Sequence, residues 1–151
     1  MRNNILLIVI VSVTLFVGCK KEICILKASK NILPEDKNGN FILHVSNQSF
    51  AVDPVDIKVY INDKLAVYED FYLTGRRTPQ HNWKEFQFNL SKGIHKLKVE
   101  SVKGNAVLEK EFEIKGKHWA AITYPNFTTA NPRLKKRYFS FTISDEPILF
   151  E

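Results

Sequence analysis

The chain has 151 residues, 44% apolar and 25% charged, with a formal net charge of +6, a length that suits one domain with its own core rather than two. Two cysteines exclude a disulfide framework, so apolar burial must hold the fold. The basic excess is modest and widely spread, and it carries little functional weight. Arg2 then precedes an uncharged, mostly apolar run from Ile5 to Val17, which Cys19-Lys20-Lys21-Glu22 ends. A membrane-crossing helix needs about twenty apolar residues. This run is shorter, and it has the length of the hydrophobic region of an export signal. A plain secretory signal would want small residues at both cleavage-determining positions, and here the third residue before the cut is the bulky Phe16.

Leu15-Phe16-Val17-Gly18-Cys19 resembles the lipobox at which bacterial lipoprotein precursors are lipidated and cut. Val17, Gly18 and Cys19 match the pattern, whereas Phe16 stands where Leu is preferred. The resemblance covers the first nineteen residues. It implies that residues 1–18 are a lipoprotein signal peptide, an N-terminal signal helix, and that Cys19 becomes an acylated N-terminus. The protein would then sit at the cell membrane or outer membrane, facing the periplasm or the exterior. Each buried lipid methylene contributes about 0.8 kcal/mol, so two or three chains anchor it permanently. Lys20 is not the Asp that retains many Gram-negative lipoproteins at the inner membrane. Removing 18 of 151 residues leaves 133, and losing Arg2 lowers the net charge from +6 to +5. Residues 19–39 then read as the lipidated cysteine, a tether and a candidate first strand at Ile23–Leu26, and residues 40–151 as the folded domain. With Cys19 acylated, Cys24 has no intramolecular partner and reads as a small buried hydrophobe.

From Asn40 onward the apolar residues keep a period of two, interrupted by turn residues, which predicts β-strands and no long helix. Phe41–Val45 opens the series. Val55, Ile57, Val59 and Ile61 share one face of the next strand, Asn62-Asp63 turns the chain, and Lys64–Tyr68 returns as a hairpin partner. After a polar loop from Gly75 to Asn82, Trp83–Leu90 points Phe86, Phe88 and Leu90 inward. Gly93 supplies a turn that needs positive φ, and His95, Leu97 and Val99 line one side of the following strand. Beyond Lys103-Gly104-Asn105, Leu108, Phe112 and Ile114 alternate with Glu109, Glu111 and Glu113, which face Lys96 and Lys98 across the ladder. His118–Tyr124 and Tyr138–Ile143 complete the chain, with Trp119 read as core. Seven to nine one-sided strands predict an all-β fold, an antiparallel two-sheet sandwich.

Leu90-Ser91-Lys92-Gly93-Ile94-His95-Lys96-Leu97-Lys98-Val99 resembles the corner before a late strand in immunoglobulin-like and fibronectin-like bacterial modules. His95 stands where those modules often place a tyrosine bonded back to the backbone. Asp56–Lys64 is similar to their hairpin. The two matches cover 19 of the 133 residues of the mature chain and imply an Ig-like β-sandwich, while the Cys-Trp-Cys signature of antibody domains is missing. Fold-level resemblance of this kind carries no activity.

No nucleophile elbow, zinc helix, phosphate loop or catalytic-cysteine signature occurs. His44, His81, His95 and His118 lack a second ligand at metal spacing, and Asp53, Asp56, Asp63, Glu69 and Asp70 lack calcium-loop spacing. Neither catalysis nor a cofactor is expected. Binding residues are expected around the one long loop, at Tyr72, Arg76, Arg77, His81, Asn82 and Trp83. There aromatic faces and fork-shaped donors suit a sugar ring or a partner protein. The basic cluster at Arg133, Lys135, Lys136 and Arg137 reads as a solvated loop. The expectation is a lipid-anchored, non-enzymatic binding module for a protein or glycan, with nucleic acid excluded as a partner by export. An assembly accessory of an envelope complex is the alternative, and a hydrolase with a dispersed site ranks below both.

Overall fold

The computed structural model describes residues 31–73, 83–125 and 137–150. These carry eight strands and no helix: β1 (Phe41–Asn47), β2 (Val55–Ile61), β3 (Lys64–Phe71), β4 (Lys84–Phe88), β5 (Gly93–Ser101), β6 (Ala106–Ile114), β7 (His118–Tyr124) and β8 (Ser140–Ser144). Every strand expected from Phe41 onward is present. The signal helix, Cys19, Cys24 and the candidate strand at Ile23–Leu26 lie outside the described residues, as do Arg76, Arg77, His81, Asn82, Arg133, Lys135 and Lys136.

Two four-stranded sheets form, ordered β4-β1-β7-β8 and β3-β2-β5-β6. Their apolar faces share one core, in which Phe41, Leu43, Phe88 and Ile122 of the first sheet meet Ile57, Val59, Leu97 and Phe112 of the second. The alternation in sequence is the cause, because successive strand residues point to opposite faces and the inward positions are the consistently apolar ones. Phe41 stacks on Phe112 with ring centroids 5.0 Å apart, and Phe112 also meets Phe141 at 5.9 Å and His95 at 5.6 Å. This aromatic group joins the two layers.

The expectation of a wholly antiparallel sandwich is corrected at one pair. β1 and β7 run parallel, from Phe41 opposite His118 to Asn47 opposite Tyr124. Lys115-Gly116-Lys117 does not close a hairpin within a sheet. It carries the chain from β6 in one sheet to β7 in the other, so β7 arrives beside β1 running in the same direction. Trp119 is corrected as well. It points away from the core on β7 and is half-buried, with Lys117 Nζ 5.3 Å from its ring centroid.

Turn chemistry matches the sequence closely. Asn62 and Asp63 have φ of 50° and 62°, the conformation that a two-residue hairpin needs to follow strand twist. Gly93 has φ 126°, a conformation that residues with a Cβ avoid. Asn62 Oδ1 accepts the Lys96 amide at 3.0 Å, which turns its Nδ2 toward His95 Nδ1 at 2.8 Å. Nδ1 is therefore the acceptor, and Nε2–H donates to the Ser91 carbonyl at 2.8 Å. The buried His95 ring thus bonds back to backbone four residues upstream.

Ahead of β1, residues 32–39 close one side of the sandwich. The Leu33 amide donates to the Leu65 carbonyl on edge strand β3 at 2.9 Å, and the Asp36 amide to the Gln87 carbonyl on edge strand β4 at 2.8 Å. Both edges are thereby partly covered where open backbone would invite pairing with another chain. Gly39 is required by close approach: a Cβ there would lie 2.4 Å from the Phe88 carbonyl oxygen and 2.5 Å from its carbon. Both atoms are backbone and yield little. Gly39→Ala is expected to cost about 1–3 kcal/mol, read from urea unfolding; an unchanged midpoint would mean that the segment shifts freely.

Candidate binding surface

The long loop that separates β3 from β4 does not gather its flanking aromatics into one surface. Tyr72 follows β3 in the sheet β3-β2-β5-β6 and continues the outward row Tyr68, Asp70, Tyr72. Trp83 precedes β4 in the other sheet. It stacks on Phe150 at 3.9 Å, and Phe150 meets His44 edge-on at 4.9 Å. Since His44 lies on the outer side of β1, Trp83 and Tyr72 face opposite sides of the sandwich. The two sequence-predicted residues that the structure describes are therefore separated.

Trp83 belongs to a small cluster built by the end of the described chain. β8 ends at Ser144 on the far edge of its sheet, and Phe150 reaches β1, so the residues between cross the outer face over β7. His44 is largely covered there. Burial holds its imidazole below the usual histidine range, with Glu85, 4.0 Å away, pulling in the opposite direction. The cluster is packed aromatic surface, which leaves Trp83 half-buried.

The opposite face is more open. On the outer side of β3-β2-β5-β6, Tyr68 is 61% exposed and Tyr72 58% exposed, and Tyr60 lies beside them on β2. Lys58 Nζ sits 5.0 Å from the centre of the Tyr68 ring, and Lys98 Nζ 5.7 Å from that of Tyr60. Tyr60 donates its hydroxyl to Glu100 Oε1 at 3.3 Å, and Lys98 bonds Glu100 Oε2 at 2.8 Å. Lys103 grips both oxygens of Asp70 at 2.8 and 3.0 Å. Each ammonium is held above its ordinary range by the carboxylate it bonds, and the Lys98 bond holds Glu100 below the usual range against the pull of desolvation. A shallow groove of about 370 Å³ runs along this face beside Tyr60, Lys96, Lys98, Glu109 and Glu111.

Register on this face follows the sequence, with Lys96 opposite Glu111 and Lys98 opposite Glu109. Lys98 nonetheless bonds Glu100 on its own strand. Tyr60 and Tyr68 did not enter the expected site, although a signal for them exists: each falls between core residues of its strand, Val59 and Ile61 or Val67 and Phe71, so period two turns both outward.

At one end of the sandwich, Asp56 is buried and accepts three bonds from the β5–β6 turn: the Ser101 hydroxyl at 2.7 Å and the Lys103 and Val102 amides at 2.7 and 3.2 Å. Desolvation raises its affinity for a proton, and these bonds outweigh it, so its carboxyl sits below the usual range. Ser101 Oγ in turn accepts the Gly104 amide at 2.7 Å, and Tyr124 from the other sheet donates to the Gly104 carbonyl at 2.9 Å. His118 Nδ1 lies 2.7 Å from Asp145 Oδ1, and its Nε2 accepts the Lys115 amide at 3.1 Å. Both arrangements hold turns in place. Among the described residues no group of three His, Cys, Asp or Glu is placed to hold a metal ion.

Comparison of the chain with protein-family models, curated proteins and solved structures found no significant match.

Proposed function

We propose that the protein is a lipoprotein of a bacterial cell envelope, anchored through acyl chains on Cys19, whose Ig-like sandwich binds a protein or glycan partner without catalysing a reaction. The observation that carries this reading is Phe16-Val17-Gly18-Cys19 behind a short uncharged run, a pattern fit for lipidation and too short to span a bilayer. The sheet order β3-β2-β5-β6 supports the Ig-like assignment, since two hairpins joined through their inner strands correspond to C′-C-F-G. The antiparallel β1–β4 pair then corresponds to B and E. His95 near the start of β5, bonded back to Ser91, takes the place of the corner tyrosine. The parallel strand β7 occupies the position next to B where such modules put an antiparallel A strand.

An accessory role in a larger assembly would use an apolar open edge. Edge strand β6 instead carries Glu109, Lys110, Glu111 and Glu113, charges of the kind that discourage edge pairing. The test of the anchoring is intact mass and membrane fractionation of the native protein beside Cys19→Ala made in the same cells. The wild type is expected to lack residues 1–18, to carry acyl mass and to partition with membranes, and the variant to do none of these. A freely soluble, unacylated wild type would overturn the reading.

A further inference from the structure

Resting on the binding-module reading above, we infer that the outer face of β3-β2-β5-β6 is a docking platform for a neutral polysaccharide chain, with Tyr68 and Tyr72 as its stacking rings. Tyr68 lies on β3 and Tyr72 directly follows its last residue with the same outward parity; four residues of extended chain separate them by about 13 Å. Both expose more than half of their surface, and Tyr60 extends the row onto the neighbouring strand. Exposed phenol rings spaced along one face suit the apolar faces of successive sugars in an extended chain. The sheet beneath is rigid, so the rings are presented with little ordering cost on binding.

Charge selects the occupant. Three ammonium groups of this face are already engaged: Lys98 with Glu100, Lys103 with Asp70, and Lys58 against the Tyr68 ring. Glu109 and Glu111 lie opposite Lys98 and Lys96. Such a surface has no basic excess to attract a polyanion or an anionic membrane. Its centre, where Lys58, Lys98 and Glu100 meet, also lacks the charge-poor apolar middle of a protein–protein interface. What it offers is aromatic planes beside fixed carboxylates and amines, the donors and acceptors that sugar hydroxyls use. The shallow groove on this face is lined by Tyr60 together with Lys96, Lys98, Glu109 and Glu111.

The experiment is affinity gel electrophoresis of the full chain, in a sugar-free non-ionic detergent, through gels containing amylopectin, xyloglucan, galactomannan or mixed-linkage β-glucan, with heparin as the anionic control. At least one neutral polymer is expected to retard the protein and heparin is not. Tyr68→Ala and Tyr72→Ala are each expected to weaken that retardation about tenfold, and Tyr68→Phe to preserve it. Thermal unfolding should be unchanged in all three, because these rings are exposed. Retardation by heparin alone, by none of the neutral polymers, or undiminished in the Tyr68→Ala/Tyr72→Ala double variant would overturn the proposal. Anchoring is read separately: a retarded chain without acyl mass supports the platform while removing the envelope assignment, and an acylated chain that no neutral polymer retards does the reverse.

Discussion

Phe41→Ala is expected to lower folding stability by about 3–5 kcal/mol. Phe41 has no exposed surface, lies between β4 and β7 in its sheet, and stacks on Phe112 of the opposite sheet. Truncation removes the transfer energy of a ring and leaves a cavity that rigid neighbours on three strands fill poorly. Since small domains retain only about 5–15 kcal/mol in total, the variant would unfold at a much lower urea concentration. The companion substitution Phe112→Ala should add less than its own separate cost in the double variant, because both remove one stacking contact. Full additivity would show that the two rings are not coupled, and the sheets would have to be held together elsewhere.

Asp56→Ala is expected to cost about 2–4 kcal/mol, since it strands a buried hydroxyl and two amides of the β5–β6 turn without their acceptor. The loss should propagate to the other sheet, because Ser101 holds Gly104 and Gly104 accepts from Tyr124. Asp56→Asn removes the charge and also replaces one accepting oxygen with a donor, so the pH dependence of its effect, and not its size, reports the charge. The carboxyl of Asp56 titrates below its unfolded value in the native protein, so its ionised form adds stability that is fully present above about pH 4, the unfolded range for Asp. That contribution fades as pH falls through the lower folded value. The gap between wild type and Asp56→Asn in urea unfolding should therefore be large at pH 7 and shrink below about pH 4. A gap that stays constant over this range would mean that the bonds, and not the charge, carry the effect.

The strands from Phe41 onward were legible because a one-sided strand must alternate, as β5 does most cleanly, and because short apolar runs such as Phe41–Val45 are bounded by turn residues. Turns were legible where chemistry forces them, at Asn62-Asp63 and at Gly93. The backbone bond of His95 was legible only through the resemblance to Ig-like modules, which put a side chain bonded back to the backbone at its position. The proposed platform and the site expected from the sequence overlap only at Tyr72. Tyr72 enters both through its place beside the loop, whereas Tyr60 and Tyr68 carry the same outward parity inside strands. Trp83 was placed beside Tyr72 because the two flank one loop, although flanking residues of a loop that joins different sheets can face opposite ways.

By itself, then, the sequence determined which residues form strands, which side of each strand is buried and where the tight turns fall, and it carries the lipobox-like run on which the proposed envelope reading rests. These are local properties, governed by side-chain period and turn chemistry. Only the tertiary structure decided that β7 runs parallel beside β1, that residues 32–39 close one side, that Lys98 turns to Glu100, and that Tyr68 and Tyr72 share a face from which Trp83 is excluded. Each of these depends on which sheet a strand joins, and that choice is made by packing two apolar faces against each other, a contact between residues far apart in the chain that no local pattern records.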